Sequence, residues 1–144
     1  MHTVLKATAV FTTLVLSGAL AASAAAQPAP KPWNPSPSIT ASLDIGGSGN
    51  FTGVFDNNQL CYMLNAAGLA NPTAAKIVST QSGNKDQVVL NLQPPANGAS
   101  AACAPIAPDL AKRLVENAPN FALEIDTATY PQGAVRAPLS GANG

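Results

Sequence analysis

Apolar and polar residues alternate in several short stretches of this chain, and the clearest stretch lies near its end. Between Asn120 and Leu139, Phe121, Leu123 and Ile125 alternate with Ala122, Glu124 and Asp126, which is the period of a strand with one buried and one wet face. Tyr130-Pro131-Gln132-Gly133 then puts proline at the second turn position and glycine at the fourth, and Val135 with Leu139 restarts an apolar face. The stretch predicts a hairpin.

Upstream, the same period recurs. Ile39, Ala41, Leu43 and Ile45 share one face of a first strand; Gly46-Gly47-Ser48-Gly49 forms a loop, and Phe51 to Phe55 a second strand. Asp56-Asn57-Asn58 turns the chain into a third strand, Gln59 to Ala66, with Leu60, Tyr62 and Leu64 on one face and Cys61, Met63 and Asn65 on the other. Thr73 to Thr80 and Gln87 to Leu92 supply a fourth and a fifth, and the Pro-Pro-Ala-Asn-Gly-Ala-Ser run after Leu92 reads as a connection. A single helix opens at Pro108-Asp109, carries Leu110 and Leu114 on one face and stops at Asn117-Ala118-Pro119. Its Ala107, Leu110, Ala111 and Leu114 stripe is expected to plug one end of the fold. Short strands at this spacing point to a sandwich or a barrel.

The start of the chain does not follow this pattern. Met1 to Lys6 carries one early cation, Ala7 to Leu20 is apolar, and Ala24-Ala25-Ala26 has the small-residue spacing that a signal peptidase accepts. Residues 1–26 are therefore expected to be an export signal cleaved before Gln27, leaving no stable membrane insertion. The rival reading, an uncleaved anchor of ~20 residues, suits the Ala- and Ser-rich second half less well. Residues 27–38 hold five prolines and the lone Trp33 and read as an extended tether, which leaves 39–140 as one folded domain. The expected location is periplasmic or extracellular.

Charge narrows the function classes. The 144 residues have formal net charge zero, and the six Lys and Arg after residue 26 are scattered, so nucleic-acid binding is not expected. The Gly46 to Gly49 loop lacks the Lys-Ser/Thr of a phosphate-binding loop. Asn50-Phe51-Thr52 fits a glycosylation acceptor. Cys61 and Cys103 are the only cysteines, and in an exported chain they are expected to form a structural disulfide closing a loop of about 43 residues. His2 is the only histidine and lies in the signal, so the exported part has no imidazole for a copper or zinc site or for a catalytic triad. No cofactor is implied.

The wording of the closing hairpin, Ile-Asp-Thr-Ala-Thr-Tyr-Pro-Gln-Gly-Ala-Val-Arg, resembles the closing motif of the CHRD (chordin) domain. Leu60-Cys61-Tyr62-Met63-Leu64-Asn65-Ala66-Ala67-Gly68-Leu69, Pro72-Thr73-Ala74-Ala75, Cys103 and the Pro108-Asp109-Leu110 helix follow the family's order. The resemblance implies an all-β fold, an immunoglobulin-like or superoxide-dismutase-like antiparallel β-sandwich with one short helix, in an exported protein. Where the family motif has histidines, this chain has Lys76, Val78 and Asp126, so a metal or pH role tied to them is not carried over.

Two further expectations concern chemistry. Ile77, Ile125 and Val135 are expected to be buried, which sends Lys76, Asp126 and Arg136 to the opposite face with Glu124 beside them, as a polar surface cluster of exposed ion pairs contributing ~0 to 1 kcal/mol each. Glu124 and Asp126 would stand roughly 6.5 to 7 Å apart by strand rise, a spacing open to carboxylate-only glycan hydrolysis. Without sugar-stacking aromatics or a pKa-raising pocket, the leading expectation is a non-catalytic binding or structural module whose partner is an extracytoplasmic protein or glycan. The alternatives are that hydrolase and a soluble carrier of an apolar ligand, which needs a deep cavity in the sandwich.

Overall fold

Alternation along the strands decides the architecture. The structure, a computed structural model, describes residues 36–46 and 48–142; the expected export signal, most of the expected tether and Trp33 lie outside them. Among the described residues, nine strands form two antiparallel sheets. One sheet has five strands in the order β6 (Ala99–Pro105), β3 (Gln59–Asn65), β2 (Ser48–Asp56), β1 (Ser38–Asp44) and β9 (Ser140–Ala142). The other has four, in the order β5 (Val88–Leu92), β4 (Pro72–Ser79), β7 (Phe121–Thr127) and β8 (Val135–Pro138). This is the antiparallel sandwich that the resemblance implied, and one of the two architectures that the strand spacing left open.

The core fills the space between the sheets. Ile39, Ala41, Leu43, Phe51, Leu60, Tyr62 and Leu64 from the first sheet belong to one buried cluster with Ala75, Ile77, Leu123, Ile125 and Val135 from the second. Each set takes alternate positions of its strands, so burying one face of each sheet recruits all of them together. Phe51 and Tyr62 meet with ring centroids 5.9 Å apart, and the Tyr62 hydroxyl accepts a 2.7 Å hydrogen bond from the Gln93 backbone N–H. Among the described residues no helix is long and apolar enough to cross a membrane.

Helix α1 (Pro108–Glu116) begins with Pro108 in its first turn, where the missing N–H costs nothing, and has Asp109 near its N-terminus and Arg113 in its last turn. Leu114 is fully buried, and Leu110 and Ala111 pack against the core, which fits the plug expected of this helix.

Three expectations need correction. The run after Leu92 is more than a connection, because Ala99–Pro105 is a seven-residue strand paired along its whole length with β3. Its small Ala and Ser side chains carry little hydrophobic contrast, so the alternation is invisible until the strand is paired. Val135 to Leu139 is not one strand either. The chain leaves the second sheet after Pro138 and joins the first at Ser140, with Leu139 buried between. Finally, β7 has no wet face, since all seven of its residues are buried.

Candidate functional site

The outer face of the second sheet carries the chemistry, and strand register builds it. Lys76 pairs with Asn91 on one side and with Glu124 on the other, and Glu124 pairs in turn with Arg136. One row across four strands therefore reads Asn91, Lys76, Glu124, Arg136, with charges alternating cation, anion, cation. Asp126 stands two residues along β7 from Glu124, on the same face and opposite Ala74. The side chains that the sequence placed on this face are thus in mutual contact.

Their geometry is that of a closed network. Lys76 Nζ lies 2.6 Å from Asp126 Oδ2 and 3.1 Å from Glu124 Oε1. On the other side of Glu124, Arg136 donates from Nε to Oε2 at 2.9 Å, and its Nη2 lies 2.7 Å from the same oxygen. Arg136 Nη2 also pairs with Asp86, from the loop between β4 and β5. Asp86 is a member that sequence reading missed. It sits in a polar loop ten residues from Lys76, and only the fold of that loop brings it onto the row.

Burial overturns the expectation of a solvated cluster. Glu124 and Asp126 are 7% and 6% exposed; the charged heads of Lys76 and Arg136 stand against these carboxylates and the turn at Gly133 closes against Glu124. Gly133 has φ +108, and a Cβ there would come within 3.2 Å of Glu124 Cδ; glycine serves both the turn and the close approach. Asp126 Oδ1 is buried with no hydrogen-bond partner among the described residues. Val78, the third position where the family motif has histidine, is fully buried.

Both cations are held in their charged forms. The hydrogen bond to Asp126 raises the Lys76 pKa above its ordinary 10.5 against the opposing effect of burial, with Glu124 adding to the rise. Arg136 is likewise raised, chiefly by its hydrogen bond to Asp86. The network has two cations against three carboxylates and surrounds a surface hollow of about 360 Å³ lined by Lys76, Asp86, Val88, Glu124, Gln132, Gly133 and Arg136. Among the described residues no three His, Cys, Asp or Glu side chains are grouped so as to hold a metal ion.

The second sequence-derived site is covalent. Cys61 and Cys103 are bridged, at directly opposed positions of β3 and β6 with Cα atoms 3.9 Å apart. With the sandwich, the bridge and the closing hairpin in place, the family can be stated. The CHRD domain model matches residues 19–139, most of the chain. The chain belongs to the CHRD domain family. No curated protein and no solved structure gives a match. Within the CHRD domain, the closing motif, Ile125 to Arg136, spans the end of β7, the turn and the start of β8, and so carries two of the five charged members of the network, Asp126 and Arg136.

Proposed function

We propose that this protein is an exported, non-enzymatic CHRD module that binds or organises an extracytoplasmic protein or glycan. Membership of the family supports a module of this kind, and the disulfide fits an oxidising compartment. The observation that carries the reading is that one ammonium group holds both Glu124 and Asp126. A glycan hydrolase would need one of these acids protonated and the other free to meet water or sugar; here both accept from Lys76. The carrier alternative fares no better, since Phe51, Ile39, Leu60, Leu64, Ile77 and Leu123, all fully buried, occupy the space between the sheets.

The network is read as a structural clamp on the outer face. The test is to incubate the purified protein with a panel of polysaccharides and, in parallel, to titrate it calorimetrically with copper and zinc. No reducing ends should accumulate, and metal association should be weak and non-stoichiometric. Turnover lost in Glu124→Gln, or a tight stoichiometric metal site lost in Asp126→Ala, would replace this reading with an enzymatic or metal-dependent one.

A further inference from the structure

The four sheet edges are not protected alike. β9 is three residues long, and β8 is four residues long with Arg136 and Pro138 in it. β5 follows Lys85-Asp86, and its ladder with β4 is irregular at Ile77/Val78. Short length, charge, proline and irregular pairing are the devices by which edges avoid new strands. β6 has neither charge nor irregularity. Its sequence is Ala-Ser-Ala-Ala-Cys-Ala-Pro, seven residues in unbroken register with β3, with proline only at the last.

The direction of its free backbone groups follows from the pairing. In an antiparallel ladder, close pairs alternate with hydrogen-bonded pairs. The 3.9 Å Cα separation makes Cys61 and Cys103 a close pair. Hydrogen bonds from Ile106 N–H to the Asn58 carbonyl and from Ala66 N–H to the Gly98 carbonyl fix the same phase at both ends. The N–H and C=O groups of Ala99, Ala101 and Cys103 therefore point away from β3, and among the described residues they meet no backbone partner on that side. The side chains of these three residues are also exposed.

The adjoining outer face is uncharged beside Met63 and mixes apolar side chains with the neutral polar Asn50, Thr52 and Asn65. Met63, opposite Ala101, is 71% exposed, and Val54 is 38% exposed. Grooves of about 520 and about 340 Å³ run beside Met63, lined by Asn50, Thr52, Ala99 and Ala101 in one and by Val54, Cys61, Ala101 and Cys103 in the other.

We infer that β6 is a self-association edge, on which a second copy of this chain adds its own β6 antiparallel to make a continuous ten-stranded sheet. A two-fold contact sets a surface against itself, so a charged strip would oppose its own charge. This strip is neutral, and pairing about Ala102 sets Ala101 against Cys103 and Ser100 against Ala104, small against small. Met63 from each copy can then lie over Ala101 towards the joint. The strip is ~24 Å long and ~10 Å thick, ~240 Å² per partner, against ~800 Å² in a standard interface. The dimer is therefore weak, dissociating on the order of 0.1–1 mM.

Sedimentation velocity of the purified protein from ~10 µM to ~1 mM is expected to show a reversible monomer–dimer shift across that range. Ala101→Pro should hold the protein monomeric at the highest concentration without lowering its unfolding midpoint appreciably, because the N–H it removes faces away from β3. Ala101→Lys, compatible with any strand geometry, should do the same by opposing like charges. Sedimentation as a monomer throughout the range would overturn the inference, as would a dimer that survives both substitutions.

Discussion

At the scale of single residues, Lys76 matters most, because its ammonium serves two buried carboxylates that cannot both find another cation. Among the described residues, Lys76→Met leaves Asp126 with no ion-pair partner and Glu124 with Arg136 alone. Stripping one partner from a buried pair is expensive, and with Lys76 partly exposed the expected loss is ~2–4 kcal/mol. Asp126→Ala should cost less, ~1–2 kcal/mol, because Lys76 keeps Glu124 and the unpartnered Oδ1 disappears. Urea unfolding of the two variants checks the order, and equal or reversed losses would contradict the clamp. A pH arm checks the charge. The folded-state pKa of Lys76 lies above the ordinary 10.5, so its stabilisation is fully present below the unfolded value and is lost as pH rises through the folded one. The stability gap between the parent protein and Lys76→Met should accordingly stay constant up to about pH 10 and narrow above about pH 10.5.

At the scale of elements, β2 shows how closely the sandwich is packed. Gly53 is buried on the core side of the strand, where a Cβ would stand 2.7 Å from Leu60 Cδ1 and 3.3 Å from both Ile39 Cγ1 and Phe51 Cζ. Glycine is unfavourable in a strand interior on backbone grounds, yet here the missing Cβ makes room for Leu60. Gly53→Ala is expected to destabilise by ~1–3 kcal/mol through overpacking, and thermal unfolding should show a lower midpoint. A higher midpoint would mean that Leu60 moves aside freely. The charged row also depends on elements, because Lys76, Glu124 and Arg136 become neighbours only through the β4–β7 and β7–β8 pairings. A one-residue slip in either would send an ion-pair partner into the core.

At the scale of the whole molecule, the disulfide ties the edge strand β6 to its neighbour β3 across 42 positions of sequence. The chain-entropy account gives ~4 kcal/mol for such a loop, a large share of the ~5–15 kcal/mol by which a domain is usually stable. Cys103→Ser should therefore lower the unfolding midpoint markedly under oxidising conditions, and adding reductant to the parent protein should remove most of the difference. Two free thiols in the unreduced, denatured protein would contradict the bridge. β1, β2, β3 and β7 were legible in the sequence because alternate apolar positions have one economical burial, and β4 and β5 because their apolar runs are bounded by turn signals. The pairing of the two cysteines and the shared face of Lys76, Glu124, Asp126 and Arg136 were legible for related reasons, one from an even count in a chain expected to be exported, the other from strand parity. Sequence alone did not determine β6, whose small residues leave no contrast to read, or the sheet switch at Leu139, which depends on a partner strand distant in sequence. It also could not show that the acidic face of β7 is covered. Burial of Glu124 and Asp126 goes with what stands against them, the charged heads of Lys76 and Arg136 and the Gly133 turn, and those contacts exist only once three strands and the hairpin turn have been assembled.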